Sequence, residues 1–475
     1  MTTLATNTFA THFGLKNIPF GIGSSKAHPN PQLVTRYEHN VIFVAELSSL
    51  SQILAALPTE VLLAPSLNRF AALGRITHGE VREAIQEFIE EDIFPGNSTE
   101  NISMVQMHLP VAVGDFTVFS CSPHHNRRAQ AALMGNFENP SAYPHLPIGY
   151  TGRSSSINVS GTPIRRPWGH FFEHGIEGLK GDKKRDKKGD KKEDKKEYKK
   201  EYKKEYKKEY KKEDKKEDRK EYKKEDKKED RKEDRKEDRK GDKKGDKKAV
   251  TYAPSRNLDY EMGMAVIIGE PIPEGDTITS REAWYHIFGY VLLNDWSGRC
   301  VDDARDVQLL EMAPLGPLCS KHAATTISPW VITPDALKEF RVRAKKRDHT
   351  LSAHLEHEAG KQLAVQVGVS VDSMVWGRST TKVMDWTFEQ LIAHQASSGS
   401  GLRTGDLLAS GALSGATEDE RACLLEEFVP GESARRRYLN NGETVRIVGK
   451  AGEGVGFGDC TATVLPAFRV KESSA

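Results

Sequence analysis

"NLDYEMGMAV", residues 257–266, overlaps the apolar and β-branched "AVIIG" of residues 265–269. A continuous apolar run of this kind suits a strand covered on both faces, because a half-exposed strand alternates. Along a strand, residues two apart share a face. Asp259, Glu261 and Gly263 should therefore point one way, and Tyr260, Met262 and Met264 the other. A carboxylate in such a place is costly unless it is paired or binds a metal. The plainer alternative is a wet strand end at which Asp259 starts a turn.

Around this stretch, from residue 108 on, short apolar runs are broken by Gly and Pro: "IFGYVLLNDWSGR", "TTISPWVITP", "LAVQVGVSVDS" and "RTGDLLASGALSG". Many strands with dense turn residues imply a large, mostly β (α+β) domain. "TFEQLIAHQASS" (387–398) is the main helical exception. The first hundred residues offer strand candidates "NVIFVAEL" (40–47) and "EVLLA" (60–64). They also hold an amphipathic helix over 77–92, where Val81, Ala84, Ile85, Phe88 and Ile89 recur at helical spacing and Thr77 with Glu80 forms a capping-box pattern. The domain reading is residues 1–107, then 108–470 with an interruption at 181–248.

That interruption is built almost wholly from "DKKE", "YKKE" and "DRKE" tetrads. Like residues recur every four positions, so each Lys column repels itself along a helix. The columns also drift by roughly 40° per repeat, so no apolar stripe forms. The segment has nothing to bury and reads as a charged expansion of a surface loop. Its acids nearly balance its bases and the chain carries a formal charge of only +2, which removes the electrostatic footprint of a nucleic-acid binder.

Outside the expansion about 400 residues remain, enough for a small and a large domain. Five scattered cysteines, Cys121, Cys300, Cys319, Cys423 and Cys460, show no CxxC spacing. They point to reduced thiols in the cytoplasm and against zinc. No stretch approaches the ~20 apolar residues of a spanning helix, so no membrane partner is expected.

Three places set a charged or titratable group in apolar context: Asp259 with Glu261, Asp295 after "YVLLN", and His124–His125 after "VGDFTVF". Singly, each has an ordinary reading, since Asp295 can cap a turn and a histidine can be structural. Together they supply oxygen ligands for a hard cation, magnesium or calcium, beside a titratable base.

The chain resembles the fumarylacetoacetases. The resemblance begins at "NIPFGIG" (17–23) and runs through "SLNRFAALG", "MHLPVAVGDFTVF", "HLPIGYTGRSSSINVSGTPIRRPWG" and "LNDWSGR" to "GVGFGDCTATVLPA" (454–467). It implies an N-terminal SH3-like barrel, a C-terminal mixed β-roll domain and a homodimer. The implied reaction is hydrolysis of a carbon–carbon bond in a small β-diketo acid, at the end of tyrosine and phenylalanine breakdown. It matches His125 to the general base, Glu426 in "CLLEEF" to its partner, and Lys321 and Arg299 to cations that stabilise developing negative charge. Tyr150 and Asp302 fall at substrate-contacting positions, and Glu261, Asp295, Lys321 and Thr325 at metal-site positions.

The chain departs from the family pattern at the metal site. Two of four carboxylate ligands are replaced, by Val118 and Gly263, so a Mg²⁺ or Ca²⁺ ion should be weakly held. Ser120 and Met134 stand where the family grips a substrate carboxylate, Asp302 replaces a Gln and Ala412 a Thr. Two alternatives follow: a relative acting on another β-dicarbonyl in secondary metabolism, by hydrolysis, decarboxylation or isomerisation, and a non-catalytic binding homologue.

Overall fold

In the computed structural model, residues 6–134, 138–172, 250–299, 317–356, 361–429 and 434–469 are described. The chain divides into two units, residues 1–171 with 251–475, and residues 172–250. The charged expansion, Cys300 and Asp302 lie outside the described residues. The first unit is mostly β with α+β character.

The opening stretch is two strands. Asn257–Asp259 pairs antiparallel with Ser297–Arg299, and Met262–Ile268 pairs antiparallel with Ile287–Asp295. The break falls at Tyr260 and Glu261, where Glu261 makes an isolated bridge to Cys423. The single strand read from the sequence is thus kinked at the carboxylates, and Asp259 and Glu261 both remain buried.

Met262–Ile268 and Ile287–Asp295 form the middle of a mixed seven-stranded sheet. Its order is Gly149–Thr151, Phe116–Phe119, Leu407–Ala409, Met262–Ile268, Ile287–Asp295, Thr325–Ile327 and Ile157–Val159. Both faces of the central pair are covered, as the apolar run requires. Met262, Met264, Val266, Tyr290 and Leu292 share a core with Val367, Val369, Val445 and Ile447 of a C-terminal five-stranded sheet. On the other face Ala265, Ile267, Val291 and Leu293 share a core with Phe20, Ile22, Leu33 and Phe70. Each fully buried Val, Ile or Leu contributes about 1.5–3 kcal/mol.

The second face is covered by the N-terminal segment. Its five-stranded antiparallel sheet runs Thr99–Asn101, Asn40–Phe43, Gln32–Tyr37, Phe20–Ser24 and Gln106–Met107. Phe20 stacks near Phe288 of the central sheet and meets the edge of Phe70, with centroids 6.5 and 4.7 Å apart. Residues on either side of position 107 therefore share one core.

Three local readings change. "EVLLA" forms a helical turn, Thr59–Leu62, entered from Pro58. Val61 and Leu62 turn inward while Leu63 is exposed, a one-sided burial that a short apolar run cannot announce. "NVIFVAEL" is a strand only to Phe43 and continues as a 3₁₀ turn, Val44–Leu47. The amphipathic helix begins earlier, at Gly74, and runs to Glu90. Thr77 is therefore inside the helix, where its hydroxyl donates to Leu73 O at 3.3 Å, and it caps nothing. The second helix, Phe388–Ala396, does begin with a capping box, between Thr387 and Gln390.

Candidate active site

His125 sits in the first turn of the helix Pro123–Met134, three residues past the strand Phe116–Phe119. Pro123 suits the start of a helix because its missing N–H is unpaired there anyway. Ser122 fixes that start: its hydroxyl accepts from His125 N at 3.2 Å and donates to Ser414 O at 2.6 Å. His124 and His125 both belong to this helix. The two rings diverge by about 100° rather than pointing to opposite faces.

His125 Nδ1 is 2.7 Å from Glu426 Oε1. Glu426 is fully buried and also accepts from Ser414 Oγ at 2.5 Å and Arg128 at 3.1 Å. Burial opposes its ionisation, but the His125 hydrogen bond and charge and the Arg128 charge hold the carboxyl below its ordinary value. An ionised Glu426 is an acceptor, so Nδ1 carries the proton and the neutral ring keeps its lone pair on Nε2. The Cys423 thiol donates to the same Glu426 oxygen at 3.5 Å. Burial pushes that thiol well above its usual range, so it stays protonated.

Asp259 positions the turn that carries Glu426. In the 3₁₀ turn Leu424–Phe428 the first N–H groups have no partner within the turn, and Asp259 accepts from Leu424 N at 2.7 Å and Leu425 N at 2.9 Å. Its other neighbour is Arg299, whose Nε donates to it at 3.1 Å. Burial pushes Asp259 up to about 6 despite these three donors. This resolves the question raised by the opening stretch: one carboxylate holds the turn that carries Glu426, and the other joins a charge cluster.

In that cluster Glu261 Oε1 lies 2.5 Å from Lys321 Nζ and 2.8 Å from Arg299. Lys321 also donates to Asp295 Oδ2 at 3.1 Å. Thr325, register partner of Asp295, donates to its Oδ1 at 3.3 Å, and the Tyr150 hydroxyl donates to Oδ2. Lys321, Arg299, Glu261 and Asp295 are all buried. Burial opposes the charge on Glu261, yet Lys321 and Arg299 outweigh it and hold the carboxyl at about 2. Asp295 moves the other way: burial raises it, against Lys321, and the Glu261 charge adds to the rise. Burial works against the Lys321 charge, but Asp295 and Glu261 raise it above an ordinary lysine.

The structure brings together His125, Glu426, Lys321, Arg299, Tyr150, Glu261, Asp295 and Thr325. Glu261 is the hinge, since its backbone bridges Cys423 while its side chain meets Lys321 and Arg299. Asp302 lies outside the described residues, as does the side chain of Met134 at the end of the His125 helix. Ser120 donates to Asn126, and Ala412 is buried. Sequence reading missed Arg128 and Ser414 at Glu426, and the role of Asp259. Arg128 lies three residues after His125, the spacing of one helical face, and that was the available signal.

A divalent ion needs converging oxygens and uncompensated negative charge. Among the described residues, the group of three His, Cys, Asp or Glu ligand atoms lying within 4.8 Å of one another is His125, Cys423 and Glu426, not Asp259, Glu261 and Asp295. Val118 is buried in the apolar core. A Cβ on Gly263 would meet Gly411 O at 2.8 Å, and Gly411 itself has φ +69° with Phe119 O 2.1 Å from its own Cβ position. Glu261 and Asp295 are already joined by an ammonium. These residues do not fit a family-type divalent centre.

Comparisons with known proteins give the family. Residues 16–110 match the family model "Fumarylacetoacetase N-terminal", and residues 241–465 match "Fumarylacetoacetate (FAA) hydrolase C-terminal". The fumarylacetoacetase fahA of Aspergillus fumigatus is 32% identical over 493 residues, covering 97% of both chains. The fumarylacetoacetase of Dictyostelium discoideum is 29% identical over 96% of both, and that of Bos taurus 29% over 96% of this chain and 97% of its own. Among solved structures, a fumarylacetoacetate hydrolase from Exiguobacterium antarcticum is 13% identical with a TM-score of 0.48, covering 94% of this chain and 99% of its own. A maleylpyruvate hydrolase from Sphingobium sp. SYK-6, in complex with manganese(II) and pyruvate, is 12% identical with a TM-score of 0.47, covering 95% of this chain and 100% of its own. The chain belongs to the fumarylacetoacetase family, a family of hydrolases acting on carbon–carbon bonds. No helix among the described residues is long and apolar enough to cross a membrane.

Proposed function

We propose that this chain hydrolyses 4-fumarylacetoacetate to fumarate and acetoacetate. The observation that supports this best is the His125–Glu426 pair at 2.7 Å, set beside the buried cations Lys321 and Arg299. Curated relatives bearing this activity in their names align over nearly the full length of the chain. The altered-substrate and non-catalytic readings gain nothing from those relatives.

In this mechanism Nε2 of His125 takes a proton from water, and the water oxygen bonds to the carbonyl carbon beside the bond to be broken. Glu426 stabilises the resulting imidazolium and keeps the ring in its working tautomer. The tetrahedral oxyanion collapses to a carboxylic acid. The electron pair of the broken carbon–carbon bond leaves on acetoacetate as its enolate, which Lys321 and Arg299 stabilise. The imidazolium returns its proton to that carbon, so atoms and charge balance. Tyr150 donates to Asp295 and so holds it within the cluster.

Mg²⁺ or Ca²⁺ at Glu261 and Asp295 is weakly held in this reading, and no step depends on it. The N-terminal sheet, with its first strand paired to both second and fifth, supports an SH3-like reading of that segment. Cys121, Cys319, Cys423 and Cys460 are free thiols, which supports a cytoplasmic setting. A homodimer follows from the family resemblance, and sedimentation velocity tests it. For the activity itself, purified chain is mixed with 4-fumarylacetoacetate and the products are separated. Equimolar fumarate and acetoacetate are expected; unchanged substrate, or a decarboxylated or isomerised product, would overturn the reading.

A further inference from the structure

We propose that the Lys321 ammonium is the resident cation of this centre and that the centre works without a divalent metal. The proposal rests on the hydrolase reading for its catalytic part and on geometry alone for its binding part.

The geometry gives three reasons. First, both carboxylates that would hold an ion are spoken for: Nζ lies 2.5 Å from Glu261 Oε1 and 3.1 Å from Asp295 Oδ2. The same Glu261 oxygen also accepts from Arg299 and Ser297, and Asp295 accepts from Tyr150 on Oδ2 and Thr325 on Oδ1. A dication entering here would have to displace a buried ammonium from two partners and leave it unpaired, which is strongly unfavourable.

Second, the places from which further ligands would come are closed. Val118 lies in the apolar core between its strand partners Tyr150 and Ala409. Gly263 faces Gly411 O, and Gly411 is itself packed against the backbone of Phe119 and Ser120. Restoring acids by Val118→Asp with Gly263→Glu would therefore clash and bury an unpaired charge rather than rebuild a site.

Third, charge is nearly balanced without an ion. Three carboxylates, Asp259, Glu261 and Asp295, face two cations, Lys321 and Arg299. At most one net negative charge remains, too little to draw a hard dication from its water shell. An ammonium has three N–H groups, and two are used. Among the described residues the third has no partner, and it would serve a substrate oxygen as one arm of the charge stabilisation that the enolate requires.

The test uses chelator-stripped full-length protein, titrated by calorimetry with Mg²⁺, Ca²⁺ and Mn²⁺, with turnover measured in parallel. Wild type should bind none of them tighter than about 1 mM, the weak end for hard-cation sites, and its turnover in chelator should stay within about twofold of that with metal. Lys321→Ala frees both carboxylates, so its Mn²⁺ affinity should rise at least about tenfold while turnover falls. Lys321→Gln keeps hydrogen-bond donors and serves if the alanine variant does not fold; it too should bind Mn²⁺ more tightly than wild type. Stoichiometric tight binding by wild type, turnover rescued by metal, or no gain of affinity in either variant would overturn the proposal. Absence of turnover in every condition would overturn the hydrolase reading instead, and the binding arms would still decide this one.

Discussion

The His125–Glu426 pair and the Lys321–Glu261–Asp295–Arg299 cluster lie next to each other and are built on opposite principles. The pair has one side open: Glu426 is gripped by four donors, while the His125 side chain keeps 12% exposure. Among the described residues no group hydrogen-bonds its Nε2. The cluster is closed, with every charge buried against an opposite one. A group that moves protons must exchange with water and substrate, so it needs an open nitrogen and a fixed tautomer. A group that stabilises charge works best dry and already oriented, where no reorganisation is required at the moment of reaction. The difference suits one to proton transfer and the other to charge stabilisation, as the proposed mechanism requires.

The most direct way to break this division is His125→Ala, which should lower turnover by about 10²–10⁴-fold, the usual share of a positioned general base. His124→Ala should change it far less, because His124 is turned away by about 100° on the helix and does not contact Glu426. Equal losses in the two variants would erase the distinction. Glu426→Gln should cost about 10- to 100-fold in kcat with KM little changed, since the imidazolium loses its partner and the tautomer its anchor. A rise in KM alone would place Glu426 in substrate binding.

Asp259→Asn sharpens the comparison because Asp259 supports both halves. It should destabilise the fold by about 1–3 kcal/mol, as the amide cannot accept from Leu424 N, Leu425 N and Arg299 as the carboxylate does. Denaturant unfolding measures the stability, and kcat should fall together with it. An unchanged midpoint would detach Asp259 from the Glu426 turn.

The last effect concerns acid, and it leaves turnover at neutral pH untouched. His12 and His78 are buried away from the site, and burial, above all, lowers both to about 4, with Lys450 beside His12 and Arg75 beside His78 adding to it. A histidine lowered in the fold prefers to be neutral there. Its contribution is complete above pH 6.5, the unfolded value, and is lost as pH falls through 4. Each contributes up to roughly 3 kcal/mol over that window. His78→Gln should flatten the melting temperature between pH 6.5 and 4; an unchanged pH slope would remove His78 from the account.

Much of this was legible in the sequence because the signals were local. The "AVIIG" run required cover on both faces, and two separate cores provide it. The sequence signals single out His125, Glu426, Lys321, Arg299, Glu261 and Asp295, and these residues meet. What could not be read was set by tertiary contact. The kink at Tyr260–Glu261 depends on a bridge to Cys423, more than 160 residues away in the chain. Arg128 and Ser414 are ordinary residues until Glu426 arrives between them. The closure of position 263 is a backbone approach by Gly411, which no side-chain pattern encodes.

The account's central claim is that water activated at His125 attacks a carbonyl and is incorporated as the carbon–carbon bond breaks. Single-turnover cleavage of 4-fumarylacetoacetate in ¹⁸O-labelled water tests it directly. One labelled oxygen should appear in the newly formed carboxylate of fumarate, at a rate that His125→Ala lowers by about 10²–10⁴-fold. Unlabelled fumarate, or labelling at the same rate in the variant, would contradict it.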